Sequence, residues 1–322
     1  MKVPIHILYI SYDGMTDPLG QSQVLPYLLG LEKLGYSFTL LSAEKKDAYQ
    51  KNKDTIINLI KDKNINWEPI IYSKSPPIFS TIYDYVVLRN KSIDLYQKNK
   101  YQLVHCRSYI SALVGVFLKR KIQTPFIFDM RGFWADERID GNIWNLKNPV
   151  HQLVYKFFKA KEKEFLKLAD AIICLTKKAK NEISTWKCLN NESSKITVIP
   201  CCVDTSFFNP NTINLELSFK RLQALGLKND DLVLGYVGSI GTWYLLSEML
   251  DFFKVLKIVK KEAKFLFITT EAPENILLPA HEKGLNKEDL LIVSGKRQEM
   301  PELISLIDFG IFFIKPVYSK MA

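Results

Sequence analysis

Three side chains that could take part in catalysis lie at the ends of short apolar runs typical of β-strands. Asp13 and Arg131 directly follow such runs, and His105 lies near the end of another. The carboxyl ends of parallel strands form the crevice where α/β proteins bind ligands. Arginine there can neutralise a phosphate or pair with a carboxylate. These three are our catalytic candidates; the alternatives are a structural histidine and an Arg131 paired with a nearby acid.

A loop rich in glycine and aspartate, Tyr12–Gln23, separates the first predicted strand from a helix predicted over Gln21–Leu34. Such a loop leaves backbone N–H groups directed into a crevice, where they can bind an anion or a polyol. We therefore predict that Gly20 and Gln21 help to bind a phosphate or a polyol here.

The segment around Arg131 combines charged and aromatic side chains. Phe133, Trp134, Asp136 and Glu137 are candidates for binding an acceptor, since aromatic rings stack on sugars and carboxylates bind hydroxyls. The alternative is an ordinary loop in which Trp134 fills an edge of the core.

A second loop of the same type follows the strand predicted at Leu232–Val237 and precedes a helix predicted over Leu245–Lys260. Its backbone amides could hold phosphate at a helix start, although a tight turn is the alternative. Positive charge follows two later strands, where a solvated loop is the plain alternative. The candidates for phosphate binding in this half are Gly238, Ser239, Gly241, Thr242, Lys296, Arg297 and Lys315.

Several function classes are disfavoured by missing motifs. The chain has no GxGxxG after its first strand, which argues against an oxidoreductase, and no Walker A, HExxH, EF-hand or DxD motif. We therefore expect no metal and no cofactor. The five cysteines have no CxxC spacing, so reduced structural thiols are expected.

The net charge of +10 comes mostly from lysine. A solvated surface or a contact with anionic membrane lipid both fit it, whereas no motif indicates nucleic-acid binding. No apolar run is long enough to span a membrane, and the N-terminus lacks the apolar core of a signal peptide. We expect a cytoplasmic protein, with peripheral contact at the inner membrane face as an option.

Strand-like and helix-like stretches alternate along the chain, which predicts an α/β fold with mostly parallel sheets. The pattern breaks near residue 200 and then resumes. We predict a first domain at 1–200, a linker at 201–230 and a second, partial domain at 231–322. The predicted strands are Ile5–Ser11, Ser37–Ser42, Trp67–Ile71, Leu103–Cys106, Pro125–Asp129, Ala171–Leu175, Ile196–Ile199, Leu232–Val237, Phe265–Thr269, Leu290–Val293 and Phe309–Ile314.

Together with this two-part plan, the Asp13–Gln23 loop, the Arg131–Arg138 segment, Ile199–Pro210 and Tyr236–Tyr244 resemble a family 4 glycosyltransferase of the GT-B fold. The resemblance implies two Rossmann-like domains. It also implies metal-independent sugar transfer from a nucleotide-sugar to a saccharide or lipid-linked acceptor, with retention of configuration. In the family the donor binds mainly the second domain and the acceptor mainly the first.

Residue by residue, Gly20 matches the family's first glycine loop, and Gly238–Thr242 match its donor-side loop. That loop often carries Arg and Lys for the diphosphate, which are replaced here, so Lys296, Arg297 or Lys315 could substitute. Arg131 stands where many members have a histidine, which favours charge stabilisation.

The resemblance also implies a further helix with two glutamates after Phe309–Ile314, and the sequence ends before it. We therefore expect an incomplete second domain and a weak or inactive chain. The alternative function is a non-catalytic α/β protein that binds a nucleotide or a partner.

Overall fold

The computed structural model describes residues 5–189, 192–228 and 230–321, and it divides the chain into two compact units. The first contains the chain up to Cys202 together with the segment from Val317, and the second is Val203–Pro316. The predicted linker at 201–230 is thus mostly part of the second unit. The end of the predicted second domain belongs to the first unit, because the Tyr318 ring stacks on Phe133 at 5.1 Å.

The first unit is built on a seven-stranded parallel sheet in the order β3-β2-β1-β4-β5-β6-β7. The strand order reverses beside β1, and α/β sheets bind ligands at the carboxyl ends of the strands at such a switch point. All seven predicted strands are confirmed. They are β1 (Ile5–Ser11), β2 (Tyr36–Glu44), β3 (Ile65–Ile71), β4 (Leu103–Arg107), β5 (Phe126–Asp129), β6 (Ala171–Cys174) and β7 (Ile196–Val198).

Eight α-helices of the described residues connect and cover these strands. The most buried is α5, whose small and branched side chains pack against the sheet. The helices are α1 (Pro18–Gln23), α2 (Leu25–Glu32), α3 (Lys46–Ile60), α4 (Phe79–Lys98), α5 (Ser108–Ile122), α6 (Trp134–Asp140), α7 (Pro149–Leu168) and α8 (Lys177–Ser184).

The single helix predicted over Gln21–Leu34 is wrong. The structure has two shorter helices that meet at Val24. Pro26 lacks the N–H group that a continuous helix would need there, so the chain begins a new helix. The break turns α1 back onto the preceding loop, where Gly20 is buried.

The second unit has a four-stranded parallel sheet in the order β10-β9-β8-β11. The predicted strand Phe309–Ile314 is shorter than expected, because after Gly310 the chain pairs only through an isolated bridge between Ile314 and Tyr244. The strands are β8 (Val233–Val237), β9 (Lys264–Ile268), β10 (Leu290–Val293) and β11 (Phe309–Gly310).

The helices of this unit are α9 (Leu215–Ala224), α10 (Leu246–Val259), α11 (Glu274–Glu282) and α12 (Met300–Ile304). The sequence did not predict α9 or α11; α11 contains Pro279, which argues against a helix. In the described part of the chain, none of the helices has both the length and the apolar character needed to cross a membrane.

Candidate active site

The three catalytic candidates of the first unit converge on one group of charged side chains at the carboxyl ends of β1, β4 and β5. Arg107 joins two of the strand ends: its Nε donates to Asp13 Oδ2 at 3.1 Å, and its Nη1 lies 3.7 Å from Asp129 Oδ2. His105 Nε2 lies 3.6 Å from Asp129 Oδ2, and Arg131 Nη1 lies 4.0 Å from Asp129 Oδ1. We call these five residues the charged array.

Burial differs sharply within the charged array. The side chains of Arg107 and Asp129 are only 3% and 7% exposed, whereas that of Asp13 is 40% exposed. Burial lowers the pKa of Arg107, but neighbouring Tyr9, Asp13 and Asp129 raise it by more, so the guanidinium stays charged. Asp13 is therefore the carboxylate of the array that a substrate can reach.

Arg131 adopts a backbone conformation that side-chain-bearing residues rarely use. Its φ is +60°, and the following Gly132 has φ +152°. Its Nη2 donates to Gln23 Oε1 at 3.2 Å and to Cys201 Sγ at 3.4 Å. The strained turn and these two bonds direct the guanidinium toward Gln23 rather than along the strand, and strain of this kind concentrates at functional sites.

A cavity of about 350 Å³ within the first unit opens beside the charged array. Its polar wall includes Gln23, His105, Asp129 and Arg131, and the rest is mostly apolar. Among the described residues, His105 Nε2 and Asp129 Oδ1 are buried without a hydrogen-bond partner. Buried polar atoms of this kind are normally satisfied, so these two atoms mark an incompletely paired centre of the charged array beside the cavity.

Two amides of the first glycine loop have a partner within the protein. The Glu44 carboxylate accepts from Met15 N at 2.7 Å and from Thr16 N at 3.0 Å. Gly20 is buried in α1, where an added Cβ would lie 2.2 Å from Gly14 O. Gln21 Nε2 donates to Thr16 O. Gly20 and Gln21 thus help to pack the loop, and their phosphate-binding role stays a prediction.

Of the two predicted acceptor-binding aromatics, Phe133 is a core residue, and Trp134 is half-buried against the edge of the core. Phe133 is fully buried and packs between Trp186 and Tyr318. The Trp134 ring stacks on Tyr109 at 5.7 Å. Burial of this face follows from α6, a helix that the sequence did not predict. Phe133 is therefore not available to stack on a sugar.

The two predicted acceptor carboxylates already have partners. Asp136 accepts from Tyr155 Oη and from Lys159 Nζ, at 2.8 and 2.9 Å. Glu137 accepts from Lys320 Nζ at 2.8 Å. These ion pairs fasten α6 to α7 and to the chain segment after Val317, so both carboxylates serve packing.

Amides of the second unit's glycine loop remain available. The amides of Ser239 and Thr242 donate no hydrogen bond to another described residue, whereas Gly241 pairs with Tyr244 in an isolated antiparallel bridge, and the loop is mostly exposed. Gly238, Gly241 and Thr242 have φ of +143°, +92° and +56°. The helix predicted over Leu245–Lys260 is confirmed as α10, which begins at Leu246, after the loop has ended. The loop is thus a tight turn ahead of the helix, and backbone amides in such turns can surround an anion.

The basic candidates of this unit differ in position. Lys315 N donates to Trp243 O, which places Lys315 beside the loop. Lys296 and Arg297 instead follow β10, two strands away from β8. The Arg297 guanidinium lies over the Phe207 and Phe208 rings. Lys315 is therefore the only one of the three that the structure places at the loop.

Sequence reasoning missed two acids: Asp129, which belongs to the charged array, and Glu44, which holds the first glycine loop. Both lie at the ends of strands, and that position was the available signal. No group of three or more His, Cys, Asp or Glu within the described ranges could hold a metal ion.

The GT-B fold is supported by solved structures of similar shape. A glycosyltransferase from Rickettsia africae ESF-5 is 14% identical, with 95% of this chain and 72% of that one covered and a TM-score of 0.65. Sucrose-phosphate synthase from Thermosynechococcus elongatus is 13% identical, with 95% and 74% covered and a TM-score of 0.68. Anabaena HepE, solved with UDP and glucose, is 12% identical, with 94% and 73% covered and a TM-score of 0.62.

No curated protein matches the chain in sequence. The model of Glycosyltransferase Family 4 matches residues 23–207, more than half of the chain. This match agrees with the two parallel sheets and with the solved structures. The chain belongs to glycosyltransferase family 4 and has the GT-B fold.

Proposed function

We propose that this protein transfers a sugar from a nucleotide-sugar to a saccharide or lipid-linked acceptor, with retention of anomeric configuration and without a metal. Its role would lie in the synthesis of a cell-surface polysaccharide or glycolipid. Family membership supports sugar transfer, and the UDP bound to Anabaena HepE supports a nucleotide donor.

The observation that carries the proposal is the charged array beside its cavity. Two guanidinium groups and an accessible carboxylate meet at the carboxyl ends of three strands. Asp13 is placed to accept a hydrogen bond from an acceptor hydroxyl. Arg131 is placed to stabilise negative charge on the departing diphosphate, since a fixed cation lowers the free energy of such a transition state.

The second unit supplies the groups proposed to hold the donor diphosphate. These are the Ser239 and Thr242 amides of the loop at Gly238–Thr242, with Lys315 beside them. In a retaining reaction, the acceptor hydroxyl attacks from the face that the leaving group departs and passes its proton to a phosphate oxygen. That route needs no dedicated carboxylate base. This proton route agrees with the charged array, because the second carboxylate of the array, Asp129, is buried.

The proposal can be tested by incubating the chain with a panel of UDP-, GDP- and ADP-sugars and measuring sugar release or transfer by mass spectrometry. EDTA should leave the rate unchanged, and the product should keep the donor's anomeric configuration by NMR. Absence of turnover with every donor and acceptor tested would favour a non-catalytic binding protein. An inverted product would refute retention.

A further inference from the structure

Glu44, at the end of β2, is a buried carboxylate, and three of its four side-chain hydrogen bonds come from the first glycine loop. It is fully buried. One oxygen accepts from Met15 N at 2.7 Å and from Ser42 Oγ at 2.5 Å. The other accepts from Thr16 N at 3.0 Å and from Thr16 Oγ1 at 2.5 Å. The carboxylate therefore occupies the amide donors that such a loop usually presents to a phosphate.

The loop is shaped to admit this carboxylate. A Cβ on Gly14 would lie 2.8 Å from Glu44 Oε2, so residue 14 must lack a side chain. Trp67 Nε1 donates to Ser42 Oγ, which extends the network to β3. Asn52 Nδ2 donates to Thr16 O and braces the loop from α3. Hydrogen bonds to a buried charge are stronger than neutral ones, so this arrangement is rigid.

Asp13 depends on the same loop. It directly precedes Gly14, and its other restraints are short: Asp13 N donates to Ser11 Oγ, and Asp13 Oδ2 accepts from Arg107. A loop fixed at Met15 and Thr16 therefore fixes the backbone from which the Asp13 carboxylate extends.

We propose that Glu44 is a positioning residue that acts as an internal anion. Its carboxylate fills the anion position formed by the Met15 and Thr16 amides, which keeps a phosphate out of that position and makes the loop a rigid support for Asp13. The role of Asp13 rests on the proposed function. Removing the carboxylate should open an anion site that the wild-type chain lacks.

The test compares E44A with the wild type and with E162A, which removes another fully buried carboxylate, on α7 and away from the loop. Thermal unfolding is measured with and without saturating inorganic phosphate. Both variants lose stability, but phosphate should raise the Tm of E44A alone, by about 2–4 °C. An equal response to phosphate in E44A, E162A and the wild type would overturn the proposal.

E44Q provides a second variant if E44A does not fold. It keeps the side-chain volume but sets an amide donor against a backbone donor, so hydrogen exchange at Met15 and Thr16 should accelerate at least about tenfold. Unchanged exchange would refute the proposal. UDP affinity should be the same in E44Q and the wild type, and a tenfold loss in E44Q would place this loop in the donor site instead. Failure of UDP to bind either protein would count against the proposed function. The role of Glu44 would still be decided by the effect of phosphate on the Tm and by hydrogen exchange at Met15 and Thr16.

Discussion

At the scale of single residues, Arg107 is the group on which both carboxylates of the charged array depend. Its guanidinium lies between Asp13 and Asp129 and is almost completely buried. A buried carboxylate without a cation is costly, because no water remains to stabilise its charge. Arg107 therefore has a structural role that the more exposed carboxylate of the array, Asp13, does not share.

Replacing Arg107 with Ala should destabilise the first unit by about 3–5 kcal/mol, since the buried Asp129 would be left with the more distant Arg131 as its remaining guanidinium partner. Urea denaturation measures this loss. The double variant R107A/D129A should recover part of it, because the buried charge is then gone. A double variant no more stable than R107A would contradict the pairing.

Replacing Arg131 with Ala should lower the rate of sugar transfer about 10²–10³-fold, the usual effect of removing one fixed group that stabilises transition-state charge. R120A is the matched control: Arg120 pairs with Glu164 and is 64% exposed. Initial rates of both variants are compared at saturating donor. Unchanged turnover in R131A would eliminate its proposed role.

The sequence could indicate which residues lie at strand ends, because apolar runs mark the strands. Asp13, His105 and Arg131 were found in this way, and the structure brings them together. It could not indicate burial within the segment after Arg131. Phe133 and Asp136 look like ligand-binding residues until α6 folds over them, and the contacts with Tyr318 and Lys159 come from distant parts of the chain.

At the scale of elements, the close approach of α1 to the loop before it is set by Gly20. Its absent side chain lets the helix lie against Gly14 and Met15. The strands and most helices were predictable from periodicity alone. The break at Val24 was not, because apolar periodicity alone overlooks the effect of Pro26 on the backbone. The helix α11 was not either, because tertiary packing there outweighs the local effect of Pro279.

G20A should destabilise the first unit by about 1–3 kcal/mol, because the added methyl group meets backbone that cannot move freely. G30A is the matched control: Gly30 lies in α2 with no atom within 4 Å of the new Cβ. That change should instead stabilise the helix by about 0.5–1 kcal/mol. Chemical denaturation of both variants checks the pair, and equal losses would contradict the packing.

The stability of the second unit should depend on pH through Asp289, which directly precedes β10. Its burial raises the pKa, but hydrogen bonds and charge from Lys264 and Lys257 lower it by more, so the net pKa is below the ordinary value. The unfolded chain therefore binds the proton more tightly. The stability from Asp289 is present above its ordinary pKa and is lost as pH falls through the lowered one.

D289N should cost about 1–3 kcal/mol at neutral pH and should flatten the loss of stability at acid pH. D251N removes a more exposed ion pair with Lys283 and should change little. Urea denaturation across the acid range is the measurement. An unchanged acid profile in D289N would contradict the assignment.

At the scale of the whole molecule, the net charge of +10 is carried mainly by lysine. If this surface contacts a membrane, the protein should sediment with vesicles containing anionic lipid and not with neutral vesicles. Because exposed charges are screened by salt, binding should disappear as ionic strength rises. Binding that is absent at low salt would leave the charge as a solvated surface.

The two units have different parts in the proposed reaction. The first unit presents the charged array, and Glu44 occupies the Met15 and Thr16 amides of its glycine loop. The second unit presents a glycine loop in which the Ser239 and Thr242 amides are free. This division is the central claim, and it assigns the donor nucleotide to the second unit.

The assignment of the donor nucleotide to the second unit is tested most directly by calorimetry, in which UDP, GDP and ADP are titrated into the wild type and G241V. R131A, which is changed in the first unit, is titrated for comparison. At least one nucleotide should bind the wild type. G241V should weaken that binding at least about tenfold, because Gly241 has a φ of +92° that valine does not adopt readily. Heat that is absent with every nucleotide, or unchanged in G241V, would contradict the account.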